Sequence, residues 1–242
     1  MAAWQEHQII SRRNYREWDK IMDRTNRTTQ PQQLIFEQLE PAQIERRSFE
    51  IISQELGERT FDPLEEPVIK RVIHTTADFD YADTLVFSPG VIGHAHHLLM
   101  NGANIVTDTK MAMSGINQAA LSKLGVKVYN FISDEDVAEA ARRDGTTRSA
   151  AAMSKAARLD GETIFAIGNA PTALIRLYEL MEQEQYRPGL IIGVPVGFVN
   201  VVQAKELILS ADVPSIIARG RKGGSNVAAA IVNALMYQLT RN

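Results

Sequence analysis

The chain has 242 residues, of which 45% are hydrophobic and 23% are charged, a balance that excludes a disordered or fibrous protein. Its net charge of -3 excludes a long-range attraction to nucleic acid or to an anionic membrane, so a polyanionic ligand would need a local cluster of cations. The absence of cysteine excludes disulfides, thiolate metal sites and a cysteine nucleophile, and it agrees with a reducing cytoplasm.

The first 33 residues are polar and carry little periodic apolar signal, so we predict an N-terminal extension, residues 1–33, before a single domain, residues 34–242. The chain begins without the apolar stretch of a signal peptide, and polar residues interrupt its longest uncharged run. We therefore expect a cytoplasmic protein without a membrane span. The first predicted helix begins at Pro41 and carries Ile44, Phe49, Ile51 and Ile52 on its apolar side, and a second helix follows around residues 68–73.

From residue 104 onward, short apolar runs alternate with helical patterns. The predicted strands are 104–107, 126–132, 163–167, 190–194 and 215–218, and the predicted helices are 134–142, 148–159, 171–183, 201–209 and 225–239. Strands separated by helices need right-handed crossovers, so this alternation predicts a three-layer α/β/α fold with a mostly parallel sheet. Ligands bind beyond the carboxyl ends of the strands in such a sheet, which directs attention to the loops that follow them.

Two of these loops carry candidate binding groups. Residues 220–225 combine Arg221 and Lys222 with paired glycines before a predicted helix, which could bind a carboxylate or a phosphate; a tight turn with solvated charges is an equally good interpretation. The glycine spacing differs from that of a P-loop, and no dinucleotide-binding glycine motif follows any predicted strand. Asn169 stands where a helix cap belongs, and capping alone would explain it.

Histidines offer a second set of candidates. His74 ends an apolar stretch beside hydroxyl and carboxylate side chains, and an imidazole can give and recover a proton near neutral pH. A lone histidine in such a place is more often structural, so the residues alone do not decide its role. His94, His96 and His97 suggest a metal site, but they lack a carboxylate at helical spacing, so we interpret them as solvated and expect no metal.

Several motifs, in order and spacing, closely resemble the precorrin-8X methylmutase family between about Pro41 and Leu239. They are Glu45-Arg-Arg-Ser-Phe, Arg71-Val-Ile-His, Asp108-Thr-Lys-Met, Thr147-Arg-Ser-Ala-Ala, Ala166-Ile-Gly-Asn-Ala-Pro-Thr-Ala-Leu, Gly193-Val-Pro-Val-Gly-Phe-Val and Gly220-Arg-Lys-Gly-Gly-Ser. The resemblance implies a homodimer of flavodoxin-like subunits, with the site near the interface and without a cofactor. The implied reaction is a suprafacial [1,5] shift of a methyl group from C11 to C12 of precorrin-8X or its cobalt form, which gives hydrogenobyrinic or cobyrinic acid.

The resemblance also implies roles for individual residues. His74 would be the proton donor and acceptor, and Ser48 would contact the substrate. A flat macrocycle fringed with carboxylates needs an apolar slot and a cationic rim, so charge and loop position add further candidates for substrate binding. These candidates are Arg46, Arg47, Arg148, Arg219, Arg221 and Lys222, together with Thr109 and Asn169 in the family motifs.

Two local sequences bear on the branch of the family. Residues 75–81, which follow His74, are more similar to the branch that acts on the cobalt substrate. Gln203 and Ala204 stand where many relatives have Glu-Ser, which leaves no carboxylate or hydroxyl at those two positions. Two other functions stay open: a corrinoid carrier without catalysis, and an enzyme that binds a phosphate ligand at the Gly220 loop.

Overall fold

A computed structural model of the protein describes residue 37 and residues 39–241. The chain divides into two units between Ile44 and Glu45. The predicted extension, residues 1–33, lies outside the described residues. The proposed single domain from residue 34 therefore stays a prediction.

The described residues contain eleven helices and six strands. The helices are α1 (Pro41–Leu56), α2 (Glu66–Thr76), α3 (Tyr81–Thr84), α4 (Val91–Met100), α5 (Lys110–Gly115), α6 (Gln118–Leu124), α7 (Glu135–Arg143), α8 (Arg148–Ala156), α9 (Pro171–Glu184), α10 (Val201–Leu209) and α11 (Ser225–Thr240). The strands are β1 (Leu85–Phe87), β2 (Asn104–Thr107), β3 (Val128–Tyr129), β4 (Thr163–Ile167), β5 (Leu190–Gly193) and β6 (Ser215–Ala218).

The six strands form one sheet in the order β1-β6-β5-β4-β2-β3. The strands from β2 to β6 are parallel, and β1 pairs antiparallel with β6. Counted from β2, the parallel strands follow the order 2-1-3-4-5, which is the flavodoxin-like order. The predicted fold is thus confirmed, and the strand order reverses between β2 and β4.

Helices cover both faces of the sheet. Successive residues of each central strand therefore point into two different cores. One core contains α2, α4 and α11 and takes Ile105, Ile164, Ile192 and Ile216 from the strands. The other contains α8, α9 and α10 and takes Val106, Phe165, Ile191 and Ile217. The central strands are therefore buried on both sides, as their continuous apolar runs predicted.

Some predicted elements need correction. The strand expected at 126–132 is only Val128–Tyr129, because it is an edge strand between the left-handed Gly125 and the chain turn that follows. Strand β1 and the helices α3 to α6 were not predicted, since most of them are too short to show periodicity. On α1, Ile52 is buried and Phe49 is half-buried, but Ile44 and Ile51 are exposed. Residues 49, 52 and 56 share the inward side of the helix, and residue 51 points away from it.

No helix in the described ranges is both long enough and apolar enough to cross a membrane.

Candidate active site

The carboxyl edge of the sheet, where the five parallel strands end, collects the loops that follow them. The antiparallel β1 brings its preceding segment to the same edge. Leu85 pairs with Ala218, and the backbone N–H of Arg219 donates to the carbonyl of Thr84 at 2.8 Å. The end of α2, which carries His74, leads directly into this segment. His74 and the strand loops therefore approach the same edge of the sheet.

Asp108 occupies the point where the strand order reverses. It follows β2 and is only 2% exposed, and its carboxylate accepts the backbone N–H groups of Gly168, Asn169 and Ala170 at 2.7 to 2.9 Å. Burial raises the pKa of this carboxyl, while the three hydrogen bonds favour its ionised form. Asp108 fixes the loop between β4 and α9 to the end of β2. Asp108 belongs to the Asp108-Thr-Lys-Met motif, but nothing in the sequence alone indicates this role.

Thr109 caps α5. Its hydroxyl accepts the backbone N–H of Ala112 at 3.0 Å and lies 2.7 Å from the hydroxyl of Ser225, the first residue of α11. The same region is tightly packed, since a side chain at Gly168 would come within 2.6 Å of the Cα of Ser225. Thr109 thus has a structural role that joins the start of α5 to the start of α11, in addition to its predicted contact with substrate.

Asn169 does not cap α9, which corrects one interpretation of the sequence. The N-cap residue of α9 is Ala170, and no side-chain hydrogen bond caps that helix. Pro171 occupies the first turn, as predicted, and the backbone of Asn169 is held by Asp108. The side chain of Asn169 is exposed at the carboxyl edge. Because capping does not explain the residue, the alternative of a substrate contact gains support.

Arg148 begins α8 and is exposed. The preceding residue, Thr147, caps the helix by accepting the N–H of Ala150 at 3.2 Å, and its hydroxyl lies 2.9 Å from that of Thr172 at the start of α9. This bond joins the N-termini of the two helices. It places Arg148 beside the loop that carries Asn169.

The Gly220–Gly224 segment, which we call the cationic loop, presents two charged side chains of different character. Lys222 forms ion pairs with Asp78 at 2.7 Å and with Asp80 at 2.6 Å, and hydrogen bonds to these carboxylates raise its pKa. Its charge is therefore balanced within the protein. The guanidinium of Arg221 lies 5.6 Å from the ring centre of Phe198, which is 81% exposed. Arg221 remains available to an anion.

The cationic loop is held from beneath by Lys205 of α10. This side chain is completely buried, and its ammonium donates to the carbonyls of Gly220 at 2.9 Å and Lys222 at 2.8 Å. Burial lowers the pKa of Lys205 to about 8. Arg219, the remaining predicted rim cation of this region, pairs with Glu206 at 3.2 Å.

His74 lies in the last turn of α2 and is exposed. Its imidazole stacks on the ring of Phe49 from α1, with 5.1 Å between ring centres and 8° between ring planes. The guanidinium of Arg71, one turn earlier on α2, lies 4.6 Å from the centre of the same phenyl ring. Arg71 is in turn bound by Glu45, whose pKa is lowered mainly by that hydrogen bond. The catalytic candidate is therefore held flat against an aromatic surface.

The predicted residues Arg46, Arg47 and Ser48 lie on α1, in the turn that precedes and includes Phe49. Arg46 and Arg47 both lie 3.6 Å from the carboxylate of Glu50. Arg46 is largely exposed, whereas Arg47 and Ser48 are half-buried. The contact between Phe49 and His74 brings this turn of α1 close to the catalytic candidate.

The three clustered histidines have different surroundings. No group of three or more potential metal ligands occurs within the described part of the chain. All three lie on α4, where His94 donates to the carbonyl of Gly189 at 2.8 Å and His97 is exposed. His96 is half-buried, and burial lowers its pKa. The expectation that these residues are simply solvated thus holds for His97 but not for His96.

Comparison with known proteins yields one family. Residues 43–238 match the family model described as precorrin-8X methylmutase. The cobalt-precorrin-8 methylmutase of Salmonella typhimurium is 47% identical over 206 residues, which are 83% of this chain and 96% of the relative. The protein of the same name from Leptospira interrogans is 44% identical over 80% of this chain and 91% of its own length. The precorrin-8X methylmutase of Pseudomonas aeruginosa is 39% identical over 79% of this chain and 93% of its own length.

A solved structure agrees with these sequence relatives. The crystal structure of precorrin-8x methyl mutase from Thermus thermophilus has 40% sequence identity and a TM-score of 0.75, and it covers 82% of this chain and 98% of its own.

Proposed function

Since this chain belongs to the precorrin-8X methylmutase family, we propose that it moves a methyl group from C11 to C12 of a corrinoid ring, with His74 as the proton donor and acceptor. The chain is an isomerase of cobalamin biosynthesis, because it matches relatives named methylmutases over most of their length. The observation that carries the role of His74 is its position: an exposed imidazole at the carboxyl edge, oriented by an aromatic ring.

The proposed mechanism needs only one titrating group. The imidazolium of His74 donates a proton to the conjugated system of the macrocycle, which withdraws electrons from the ring and eases the migration. The C11–methyl bond breaks as the C12–methyl bond forms, so no atom is gained or lost. The product then returns its proton to the same imidazole. Histidine suits both steps because its ordinary pKa lies near neutrality.

The carboxyl edge offers the surfaces that a flat, carboxylate-fringed substrate needs. Exposed Met111, Phe198 and Val199 supply apolar area, and they are 71%, 81% and 78% exposed. We propose that the cations Arg46, Arg47, Arg148, Arg221 and Lys222 contact substrate carboxylates, and that Ser48, Thr109 and Asn169 contribute uncharged hydrogen bonds. Among the cations of the edge, Arg148 and Arg221 are exposed without a carboxylate partner within the described residues, so we expect them to contribute most.

We infer that the cobalt form is the substrate. The cobalt-precorrin-8 methylmutases of Salmonella typhimurium and Leptospira interrogans are 47% and 44% identical, against 39% for the precorrin-8X methylmutase of Pseudomonas aeruginosa, although two other relatives with the cobalt name are only 36% and 34% identical. This preference agrees with the resemblance of residues 75–81 to the cobalt branch. The cobalt would be part of the substrate, and none of the proposed roles requires a metal site in the protein.

The implied homodimer and the cytoplasmic location stay proposals. The dimer would place the site near the subunit interface, so the exposed Phe198 and Val199 would border both the substrate and the partner subunit. Sedimentation of the wild-type protein and of Phe198→Ser tests this: a dimer that dissociates in the variant supports the proposal. A wild-type monomer at micromolar concentration contradicts it.

The test of the activity is optical, because methyl migration changes the conjugation of the ring. Purified protein is incubated with cobalt-precorrin-8 and, separately, with precorrin-8X, and the absorption spectrum is followed with time. We expect the spectrum to change progressively to that of cobyrinic acid with cobalt-precorrin-8 and, more slowly, to that of hydrogenobyrinic acid with precorrin-8X. A single immediate shift that grows only with protein concentration would instead indicate the corrinoid carrier, the alternative that the relatives do not favour.

A further inference from the structure

Three consecutive carbonyl oxygens of the cationic loop are each bound by the protein beneath it. Those of Gly220 and Lys222 accept from the single ammonium of Lys205, at 2.9 and 2.8 Å. The carbonyl of Arg221, between them, accepts the backbone N–H of Gly197 at 3.1 Å. The loop is thus fixed at every peptide that flanks the Arg221 side chain.

The loop also lies directly on the end of β5. The backbone N–H of Gly224 donates to the carbonyl of Val194 at 2.9 Å, and a side chain at Gly223 would come within 2.1 Å of the same oxygen. The backbone therefore has little room to adopt another conformation while Lys205 holds its carbonyls. Without the ammonium, Gly220 and the neighbouring glycines would allow the loop many conformations.

Lys205 has no carboxylate within salt-bridge distance in the described part of the chain. The charged groups on the surrounding elements have other contacts: Glu206 pairs with Arg219, Lys222 pairs with Asp78 and Asp80, and Arg221 lies over Phe198. A buried cation without an opposite charge opposes folding. This unfavourable free energy agrees with the lowered pKa of Lys205. It indicates that the side chain has a role other than packing in the core.

We propose that Lys205 is a positioning residue for substrate binding, which fixes the cationic loop so that Arg221 meets a carboxylate of the corrinoid. This inference rests on the proposed function, because it takes the corrinoid as the ligand of Arg221. Lys205 itself does not touch substrate, since it is completely buried. Its effect should therefore appear in binding and not in the chemical step.

The test compares Lys205→Met with a control on the same helix, Ile208→Ala. Lys205→Met keeps the length of the side chain and removes its hydrogen bonds, so we expect KM for the corrinoid to rise about tenfold while kcat stays within about threefold. Its Tm at neutral pH should not fall, because the substitution also removes a buried charge. Ile208→Ala removes buried packing, so Tm should fall while KM stays unchanged. A Lys205→Met protein with lower Tm and unchanged KM would overturn the inference.

The pH dependence gives a second readout. Above the pKa of Lys205, about 8, the ammonium becomes a neutral amine whose hydrogen bonds to the loop are weaker. KM of the wild type should therefore rise as pH increases through this value, and that of Lys205→Met should not follow it. The carboxylates of the substrate stay ionised throughout this range. The same dependence of KM on pH in the wild type and in Lys205→Met would overturn the inference.

Hydrogen exchange separates the inference from the proposed function. The amide of Gly224 should exchange at least about tenfold faster in Lys205→Met than in the wild type, whether or not the protein converts any corrinoid. If the wild type converts the corrinoid, and Lys205→Met has the same Gly224 exchange rate and the same KM as the wild type, the proposed function is supported and the role of Lys205 is overturned. Failure of the wild type to convert either corrinoid, with faster exchange in the variant, would overturn the function and keep the positioning of the loop.

Discussion

The imidazole of His74 lies parallel to the phenyl ring of Phe49, with their centres 5.1 Å apart. The two residues come from different helices, so this contact joins the last turn of α2 to α1. Phe49 is also covered by the guanidinium of Arg71, which is bound by Glu45. His74 is therefore oriented by a chain of contacts that the sequence did not reveal.

Replacing Phe49 should impair the chemical step. Phe49→Leu removes the flat surface and should lower kcat about tenfold with little change in KM, because the imidazole would lose its orientation toward the macrocycle. Phe49→Tyr preserves the stack and serves as the control, with kcat near that of the wild type. Steady-state kinetics at saturating corrinoid decide between them. Equal kcat values for the two variants would show that the stack does not orient the catalyst.

The pair formed by Glu45 and Arg71 should make stability depend on pH. The pKa of Glu45 is lowered in the folded protein, mainly by its hydrogen bond to Arg71, so the pair stabilises the fold above the ordinary carboxyl pKa. That contribution is lost as pH falls through the lowered value. The pair is partly exposed, so we expect less than about 1 kcal/mol. Urea unfolding should show Glu45→Gln less stable than the wild type near neutral pH and equal to it in acid. A constant difference at all pH values would contradict this origin.

Removing the charge of Asp108 should destabilise the protein. Asp108→Asn replaces the acceptor of three backbone N–H groups by an amide that can accept through one atom only, and the loss should be roughly 3 kcal/mol. Because Asn169 would lose its anchor, kcat/KM should also fall. Asp160→Asn, at an exposed site, is the matched control and should leave both quantities unchanged. Urea unfolding and kinetics measure the two effects, and a fully stable Asp108→Asn protein would contradict the role of the carboxylate.

The two cations of the cationic loop should contribute unequally to binding. Arg221→Ala should raise Kd for the corrinoid about tenfold, because it removes a cation that has no carboxylate partner in the described residues. Lys222→Ala should change Kd less than about threefold, since Asp78 and Asp80 already balance that charge. Absorption titration at constant ionic strength compares them. A larger effect for Lys222 would mean that its aspartate partners move away when the substrate binds.

The central sheet was predictable from sequence, because buried parallel strands are continuous apolar runs separated by helices of ordinary length. Ile164, Phe165 and Ile191 belong to such runs, and the alternation of elements implied the layers. Strand β1 could not be predicted in the same way. It has only three residues, and its pairing with β6 depends on a contact across more than a hundred residues.

The site was predictable in part. The loops that carry Thr109, Asn169 and Arg221 follow strands, and parallel topology brings such loops together. The partners of charged side chains could not be read from the sequence, because they depend on loops that meet only after folding. Lys222 is the example: nothing near it in the chain indicates Asp78 and Asp80. Lys205 was likewise hidden, since a lysine on an amphipathic helix is usually solvated.

Single-turnover conversion of cobalt-precorrin-8 by the wild type and by His74→Ala, with binding measured on the same samples, tests the catalytic role of His74. His97→Ala, which alters an exposed histidine of α4, is the control and should behave as the wild type. We predict that His74→Ala binds the corrinoid with little change in Kd but converts it at least about a hundredfold more slowly. Conversion by His74→Ala at the rate of the wild type would contradict the assignment of His74 as the proton donor.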